Sequence, residues 1–124
     1  MSPEEKAFSD ALEVYEKLLN SETQAIVAVD LDKLEAILKS KDEALRSVLE
    51  SRDALDDDPR ENSTFSKILD CIIDIQGRNA QTLENLLKEQ TKKKEETTDG
   101  ANRLRRVREA YSSHLGAEGK RLKV

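Results

Sequence analysis

The chain has 124 residues, of which 38% are charged, 36% hydrophobic and only 3% aromatic, and its formal net charge is −5. That length fits one domain, and the scarcity of aromatic residues argues against globular β architectures. No apolar run reaches the about 18 residues that a membrane span needs, and the single cysteine, Cys71, excludes an intramolecular disulfide. Because the first residues lack the apolar core of a signal peptide, we expect a cytoplasmic, all-helical protein.

The first predicted helix covers residues 3–28. Ser2 is a good N-cap, Pro3 suits the first helical position, and Glu5 completes a capping box. Apolar residues then recur at alternating steps of three and four from Phe8 to Val29, which is typical of one buried helix face. Glu22 is the one charged residue on that face.

The second predicted helix covers residues 31–55 and folds back on the first. Asp30 can cap it, and a short connection makes neighbouring helices antiparallel. Pairing residues whose numbers add up to about 63 brings apolar residues of the two helices together throughout. The same pairing places Glu22 opposite Lys41. One register therefore satisfies the apolar residues and the charged pair, and it predicts a helical hairpin over residues 3–55 in which Glu22 and Lys41 fix the register.

A charged segment containing Pro59 ends the hairpin and predicts a turn. The third predicted helix covers residues 64–95, and its apolar face is interrupted by Gln76 and Asn79. These two residues either fix the register or leave a polar strip for a partner. Gly77 lies between them, and such a glycine more often permits close helix packing than it marks a site.

The last segment, residues 97–124, differs from the rest in charge. Residues 100–124 hold 7 basic and 2 acidic residues, whereas residues 1–99 hold 14 basic and 24 acidic ones. A short amphipathic helix is predicted over residues 101–115, and a helix of about 15 residues is marginal on its own in water. We therefore predict a helical domain over residues 1–96 and a basic, partner-binding tail over 97–124. The candidate contacts in this tail are Leu104, Val107, Arg108, Tyr111 and Leu115.

The fold class predicted from these elements is an all-α antiparallel bundle of three long helices with a short C-terminal amphipathic helix. The sequence contains no grouping of residues that indicates catalysis or a metal site. His114 is the only histidine and lies in the tail, where we expect it to be exposed, and Cys71 is expected to be inert packing beside the apolar face of the third helix. The sequence thus predicts neither an enzyme nor a cofactor.

Three segments resemble the FlgN-type flagellar export chaperone family. They are Leu18-Leu19-Asn20-Ser21-Glu22, then Asp30-Leu31-Asp32-Lys33-Leu34 with Lys41 and Arg52, and finally Ile75-Gln76-Gly77-Arg78-Asn79 with Leu83 and Leu86-Leu87. The resemblance covers roughly residues 10–90, together with a tail tyrosine, Tyr111, followed by Gly119-Lys120.

The resemblance implies a cytoplasmic chaperone of type III export that binds hook-associated proteins, which join the flagellar hook to the filament. It also implies that Tyr111 docks the chaperone on the cytoplasmic domain of the export gate, with Leu104, Val107 and Leu115 as flanking contacts. Two alternatives remain open. One is a structural coiled-coil interaction protein, and the less favoured one is a nucleic-acid-associated protein that uses the arginine-rich tail.

Overall fold

A computed structural model describes the backbone of residues 1–93 and 98–122 and the side chains of residues 1–89 and 103–115. Four α-helices make up most of these ranges, which contain no β-strand: α1 (Pro3–Val27), α2 (Leu31–Asp53), α3 (Ser63–Lys93) and α4 (Thr98–Leu122). A short 3-10 helix, Pro59–Glu61, lies between α2 and α3. The all-α class is as predicted.

Helix α1 begins with the predicted capping box. The Ser2 hydroxyl accepts a hydrogen bond from the Glu5 backbone N–H at 3.1 Å, and the Ser2 backbone N–H donates to the Glu5 carboxylate at 3.0 Å. Because hydrogen bonds from the Ser2 backbone and then its hydroxyl stabilise the ionised carboxylate, the pKa of Glu5 is lowered. The cap therefore fixes the start of α1 at Pro3.

A three-residue turn joins α1 to α2. The Asp30 N–H donates to the Ala25 carbonyl at 2.9 Å and the Val29 N–H donates to the Ile26 carbonyl at 3.1 Å, which is the Schellman pattern of a helix end. Its C′ position usually holds glycine, but here it holds Val29 with a φ of 55°. A β-branched residue is strained in this left-handed region. The Asp30 carboxylate then caps α2 by accepting from the Lys33 N–H at 3.1 Å.

The turn between α2 and α3 is held by side-chain caps. Asp58 accepts from the Arg60 backbone N–H at 2.9 Å, and Pro59 is buried. The Asn62 side chain accepts from the N–H groups of Thr64 and Phe65, at 2.9 and 3.2 Å, and so caps α3. These caps set the start of the 3-10 helix at Pro59 and the start of α3 at Ser63.

Contacts between helices define their directions. Helix α4 contacts α2 through Arg103 with Asp32 and Arg106 with Glu35, so that residue numbers rise together and the two helices run the same way. Asn79 of α3 contacts the α1 residues Leu19 and Glu22, while Cys71 contacts Glu16. Helix α3 therefore runs in the same direction as α1. In the α1–α2 hairpin, by contrast, the chain reverses at the Schellman turn.

Two apolar clusters fill the interior. The first, which we call the hairpin-base cluster, contains buried residues from α1, α2 and the beginning of α3: Phe8, Leu12, Tyr15, Leu19, Ala44, Leu45, Val48, Leu49, Phe65, Leu69 and Ile72. The second, the α4 cluster, lies toward the α1–α2 turn and contains Ala25, Ile26, Leu34, Ile37, Leu38, Leu83, Leu87, Val107 and Tyr111. The second cluster includes two residues of the predicted tail.

The structure corrects the predicted length of the C-terminal helix and shows where this helix packs. Helix α4 has 25 residues rather than the 15 expected, and it packs against α2 and α3. Its buried face supplies Val107 and Tyr111 to the interior, so this part of the chain is not a separate tail. The predicted end of the third helix near residue 95 and the predicted boundary between residues 96 and 97 lie outside the described residues.

Two smaller expectations are also wrong. Cys71 is exposed rather than packed, because it lies on the outer side of α3. Its Sγ is 3.6 Å from the Glu16 carboxylate, and desolvation, followed by this hydrogen bond, raises the pKa of the thiol. Gly77 permits no close packing either, since a Cβ built on it would meet no heavy atom within 4 Å.

Candidate functional site

A buried polar cluster separates the two apolar clusters. Its centre is the ion pair between Glu22 and Lys41, whose Oε2 and Nζ atoms lie 2.8 Å apart and whose side chains are 0% exposed. The two side chains face each other, as the register of the hairpin predicts. Burying two charges is costly unless each is paired and its remaining hydrogen-bonding capacity is satisfied.

Helix α3 supplies two amides that complete this pair. Gln76 accepts a hydrogen bond from Lys41 Nζ through its Oε1, and its Nε2 donates to Glu22 Oε1 at 3.4 Å. Asn79 Nδ2 donates to the same Glu22 oxygen at 2.8 Å, and Asn79 Oδ1 accepts from the Thr23 hydroxyl at 2.8 Å. Gln76 and Asn79 are 2% and 4% exposed, so they are not a polar strip for a partner.

Helix α4 adds Tyr111 to the polar cluster. Its hydroxyl accepts from Gln76 Nε2 at 2.6 Å and donates to Glu22 Oε1 at 3.3 Å. Lys41 Nζ lies 5.6 Å from the centre of the Tyr111 ring and 5.8 Å from that of Tyr15, within cation–π range. All four helices therefore meet at one charged pair, and Tyr111 is the contribution of α4.

His114 is buried, and the expectation that it is exposed is wrong. Its ring is 2% exposed, with Nδ1 at 2.6 Å from an Asp42 carboxylate oxygen and Nε2 at 2.7 Å from the Tyr15 hydroxyl. The two contacts hold the imidazole between Asp42 of α2 and Tyr15 of α1. The missed signal was in the sequence: Leu104, Val107, Tyr111 and His114 follow steps of three, four and three, which places them on one helix face.

The hydrogen bonds continue beyond the ion pair. Asp42, His114 and Tyr15 form a hydrogen-bonded chain that runs from the exposed Asp42 to Tyr15, which is 0% exposed. Among the described side chains, no buried side-chain nitrogen or oxygen lacks a hydrogen-bond partner, and no three His, Cys, Asp or Glu residues come together as metal ligands. The cluster is thus a closed network that uses its polar groups to position the helices.

The predicted partner-binding residues of α4 are divided between its two sides. Val107 and Tyr111 are buried, at 0% and 5% exposure, and contact the other helices. Arg108 is exposed, while Leu104 and Leu115 are half-buried at the edges of the α4 cluster. A partner therefore cannot contact all five residues while α4 is docked.

A mainly apolar groove of about 350 Å³ runs between α3 and α4. These two helices pack together less extensively than α4 packs on α2. The groove contains Arg108, Tyr111 and Leu115, three of the predicted contacts. Its complete lining is Ala80, Leu83, Glu84, Leu87, Lys88, Arg108, Tyr111, Ser112 and Leu115.

A second, larger depression of about 450 Å³ lies at the opposite end, beside the turn between α2 and α3. Its lining includes Glu4, Glu5, Glu61 and the three aspartates 56–58. Such a cluster of carboxylates is typical of a solvated helix end.

Comparisons with known proteins return no relatives: no protein-family model, curated protein or solved structure matches this chain. Within the part of the chain that the structure describes, no helix combines the length and the apolar character that crossing a membrane would require.

Proposed function

We propose that this protein is a cytoplasmic chaperone of flagellar type III export that binds hook-associated proteins and delivers them to the export gate. The observation that carries the proposal is the convergence of the residues that resemble the FlgN-type family. Glu22, Lys41, Gln76 and Asn79 come from the three segments of that resemblance, and in the structure they form one buried network.

A helical bundle with an inaccessible polar interior supports a protein-binding role. The titratable groups of the polar cluster are enclosed, which leaves surface complementarity as the available means of recognition. The groove between α3 and α4 provides an apolar surface that a protein segment could cover. Recognition of a helix in such a groove is a common mode of peptide binding.

The role proposed for Tyr111 in gate docking depends on the position of α4. While α4 is docked, the Tyr111 ring is 5% exposed and its hydroxyl is hydrogen-bonded inside the protein. Tyr111 lines the groove, but contact between its hydroxyl and the export gate requires α4 to separate from α2 and α3. Arg108 and Leu115 need no such movement, since both lie at the groove.

The alternative of nucleic-acid binding receives less support from the structure. Arg103 and Arg106 face Asp32 and Glu35 on α2, with N–O distances of 3.4 Å in both pairs. These acidic residues neutralise part of the basic surface that would have to hold phosphates. The alternative of a structural coiled-coil protein predicts self-association instead of a complex with a different protein.

The test is binding of purified hook-associated proteins to the full chain, measured by calorimetry, with hook and filament proteins as controls. We expect a complex with a hook-associated protein and none with the controls, and a second complex with the cytoplasmic domain of the export gate. Equal binding to all flagellar proteins, or to none, would remove the proposal. Binding to DNA that weakens steeply with salt would favour the nucleic-acid alternative.

A further inference from the structure

We propose that α4 is a reversible latch, which separates from α2 and α3 as one unit while α1, α2 and α3 remain folded. Ionic strength controls how often the latch opens, because exposed charges help to hold α4 on α2. This movement goes beyond the proposed export function and does not depend on it. It follows from the way in which polar and apolar contacts are divided between α4 and the other three helices.

The buried ion pair keeps its partners without α4. Glu22 Oε2 accepts from Lys41 Nζ, and Glu22 Oε1 accepts from Asn79 Nδ2, at 2.8 Å in both cases. Gln76 is hydrogen-bonded to both charged side chains. These four residues belong to α1, α2 and α3, and the hydrogen bonds of Tyr111 are added to them. Separation of α4 therefore leaves no charge of this pair without a partner, which is the condition for keeping an ion pair buried.

The apolar contacts are divided in the same way. The hairpin-base cluster contains eleven buried residues, and all of them belong to α1, α2 or α3. Of the nine buried residues in the α4 cluster, only Val107 and Tyr111 belong to α4. Helix α1 packs on both α2 and α3, so these three helices stay joined when α4 leaves. Parts of a protein with few buried apolar contacts open at a lower free energy than the rest.

Two exposed ion pairs join α4 to α2. Arg103 Nε lies 3.4 Å from a carboxylate oxygen of Asp32, and the arginine side chain is 45% exposed. Arg106 Nη2 lies 3.4 Å from a carboxylate oxygen of Glu35, and this arginine side chain is 58% exposed. In both pairs the base belongs to α4 and the acid to α2. The attachment of α4 is therefore partly electrostatic and open to solvent.

The same division of charge extends beyond these two pairs. Further along α4, His114 Nδ1 lies 2.6 Å from a carboxylate oxygen of Asp42, which again belongs to α2. Residues 1–99 hold ten more acidic than basic residues, whereas residues 100–124 hold five more basic than acidic ones. Salt screens exposed charges far more than buried ones. Salt should therefore weaken the attachment of α4, while the enclosed ion pair still joins α1 to α2.

Native-state hydrogen exchange of the unsubstituted chain, followed by nuclear magnetic resonance, tests the latch. A separated helix relaxes within about 0.1–1 μs, so its amides exchange each time α4 opens. Val107 of α4 and Val48 of the hairpin base are both helical and 0% exposed, which makes them a matched pair of reporters. After correction for intrinsic rates, we expect the Val107 amide to exchange at least about 100-fold faster than the Val48 amide. The amides of Val107, Tyr111 and His114 should agree within about threefold, since α4 opens as one unit.

The salt dependence of these rates tests the electrostatic part of the latch. Between about 0.01 M and about 1 M NaCl, the screening length falls from about 30 Å to about 3 Å. We expect the ratio of the Val107 rate to the Val48 rate to rise about threefold to tenfold over this range. Taking the ratio removes any effect of salt on the stability of the whole protein.

Charge variants identify the residues that hold the latch. Arg106→Glu places two acids against each other, and it should raise the Val107 rate about threefold to tenfold. Adding Glu35→Arg restores an ion pair and should return the rate to within about threefold of that of the unsubstituted chain. The matched control is Arg78→Glu, the same charge change in an exposed ion pair within α3, which should stay within about twofold.

Equal exchange of the Val107 and Val48 amides would overturn the proposal, because α4 would then open only when the whole protein unfolds. Amides of α4 that exchange as fast as those of an unfolded chain would overturn it too, as would a salt-independent ratio or equal effects of Arg106→Glu and Arg78→Glu. Protection of α4 that rises with protein concentration would mean that α4 docks on a second copy of this chain, and the latch would be wrong. No flagellar protein takes part, so these outcomes are independent of the test of the proposed function.

Discussion

The hairpin-base cluster and the α4 cluster differ in how they hold their helices. In the first, α1, α2 and the start of α3 meet through apolar side chains, including Phe8 and Phe65, whose rings pack edge to face with centroids 5.1 Å apart. In the second, α4 is attached by Val107 and by the Tyr111 hydroxyl, which accepts a hydrogen bond from Gln76 and donates one to Glu22. Apolar packing tolerates many arrangements, whereas a closed network of hydrogen bonds requires one.

The largest expected effect comes from breaking the ion pair between the clusters. Lys41→Met leaves the buried Glu22 carboxylate without its counter-ion, and we expect a loss of about 3–5 kcal/mol in the free energy of unfolding. The measurement is urea denaturation followed by circular dichroism.

The double variant Glu22→Leu with Lys41→Met should recover at least about half of that loss, because neither charge then remains buried. Lys39→Met, at an exposed position on the same helix, should change the stability by less than about 0.5 kcal/mol. A loss below about 1 kcal/mol for Lys41→Met would show that the pair is solvated in solution.

Truncating Tyr111 tests whether α4 is docked. Tyr111→Ala removes a buried ring from the α4 cluster, so we expect a loss of about 3 kcal/mol and a fall in the melting temperature of about 10 °C. Tyr111→Phe keeps the ring but removes the hydroxyl that is hydrogen-bonded to Gln76 and Glu22. This variant should lower the free energy of unfolding by about 1–2 kcal/mol. Unchanged melting temperatures for both variants would show that α4 is not docked on the other helices in solution.

Val29→Gly should stabilise the protein by about 1 kcal/mol, because glycine adopts the left-handed conformation at this helix end without strain. The gain is smaller than the full strain, since glycine also increases the entropy of the unfolded chain. Val27→Gly, inside the last turn of α1, is the control and should destabilise. Equilibrium urea denaturation of both variants measures the difference, and a loss of stability for Val29→Gly would contradict the strained Schellman turn.

The smallest effect is expected at Gly77. This residue is exposed on α3, and a Cβ would meet no neighbouring atom. Gly77→Ala should therefore add about 0.5–1 kcal/mol through helix propensity alone. Thermal unfolding at matched protein concentration checks it. A decrease in stability would mean that a partner chain approaches this face of α3.

Much of the fold follows from local sequence patterns. The N-caps at Ser2 and Asp30 predict the starts of α1 and α2. The charged segment around Pro59 predicts the turn before α3. The sequence also predicts that Glu22 and Lys41 lie opposite each other. With a short turn between α1 and α2, few pairings of the two helices bury their apolar residues. These features depend on neighbouring residues along the chain or on one pair of helices.

The position of α4 was decided only by the tertiary structure. Its basic composition and its separation by a polar segment predict a tail, whereas packing on α2 places Arg103 and Arg106 against acidic residues. The sequence could not show that Tyr111 and His114 would find hydrogen-bond partners, since Glu22, Asp42 and Tyr15 lie 72 to 99 residues away along the chain. A polar side chain is buried when the other helices satisfy its hydrogen bonds, and that condition exists only after all four helices have assembled.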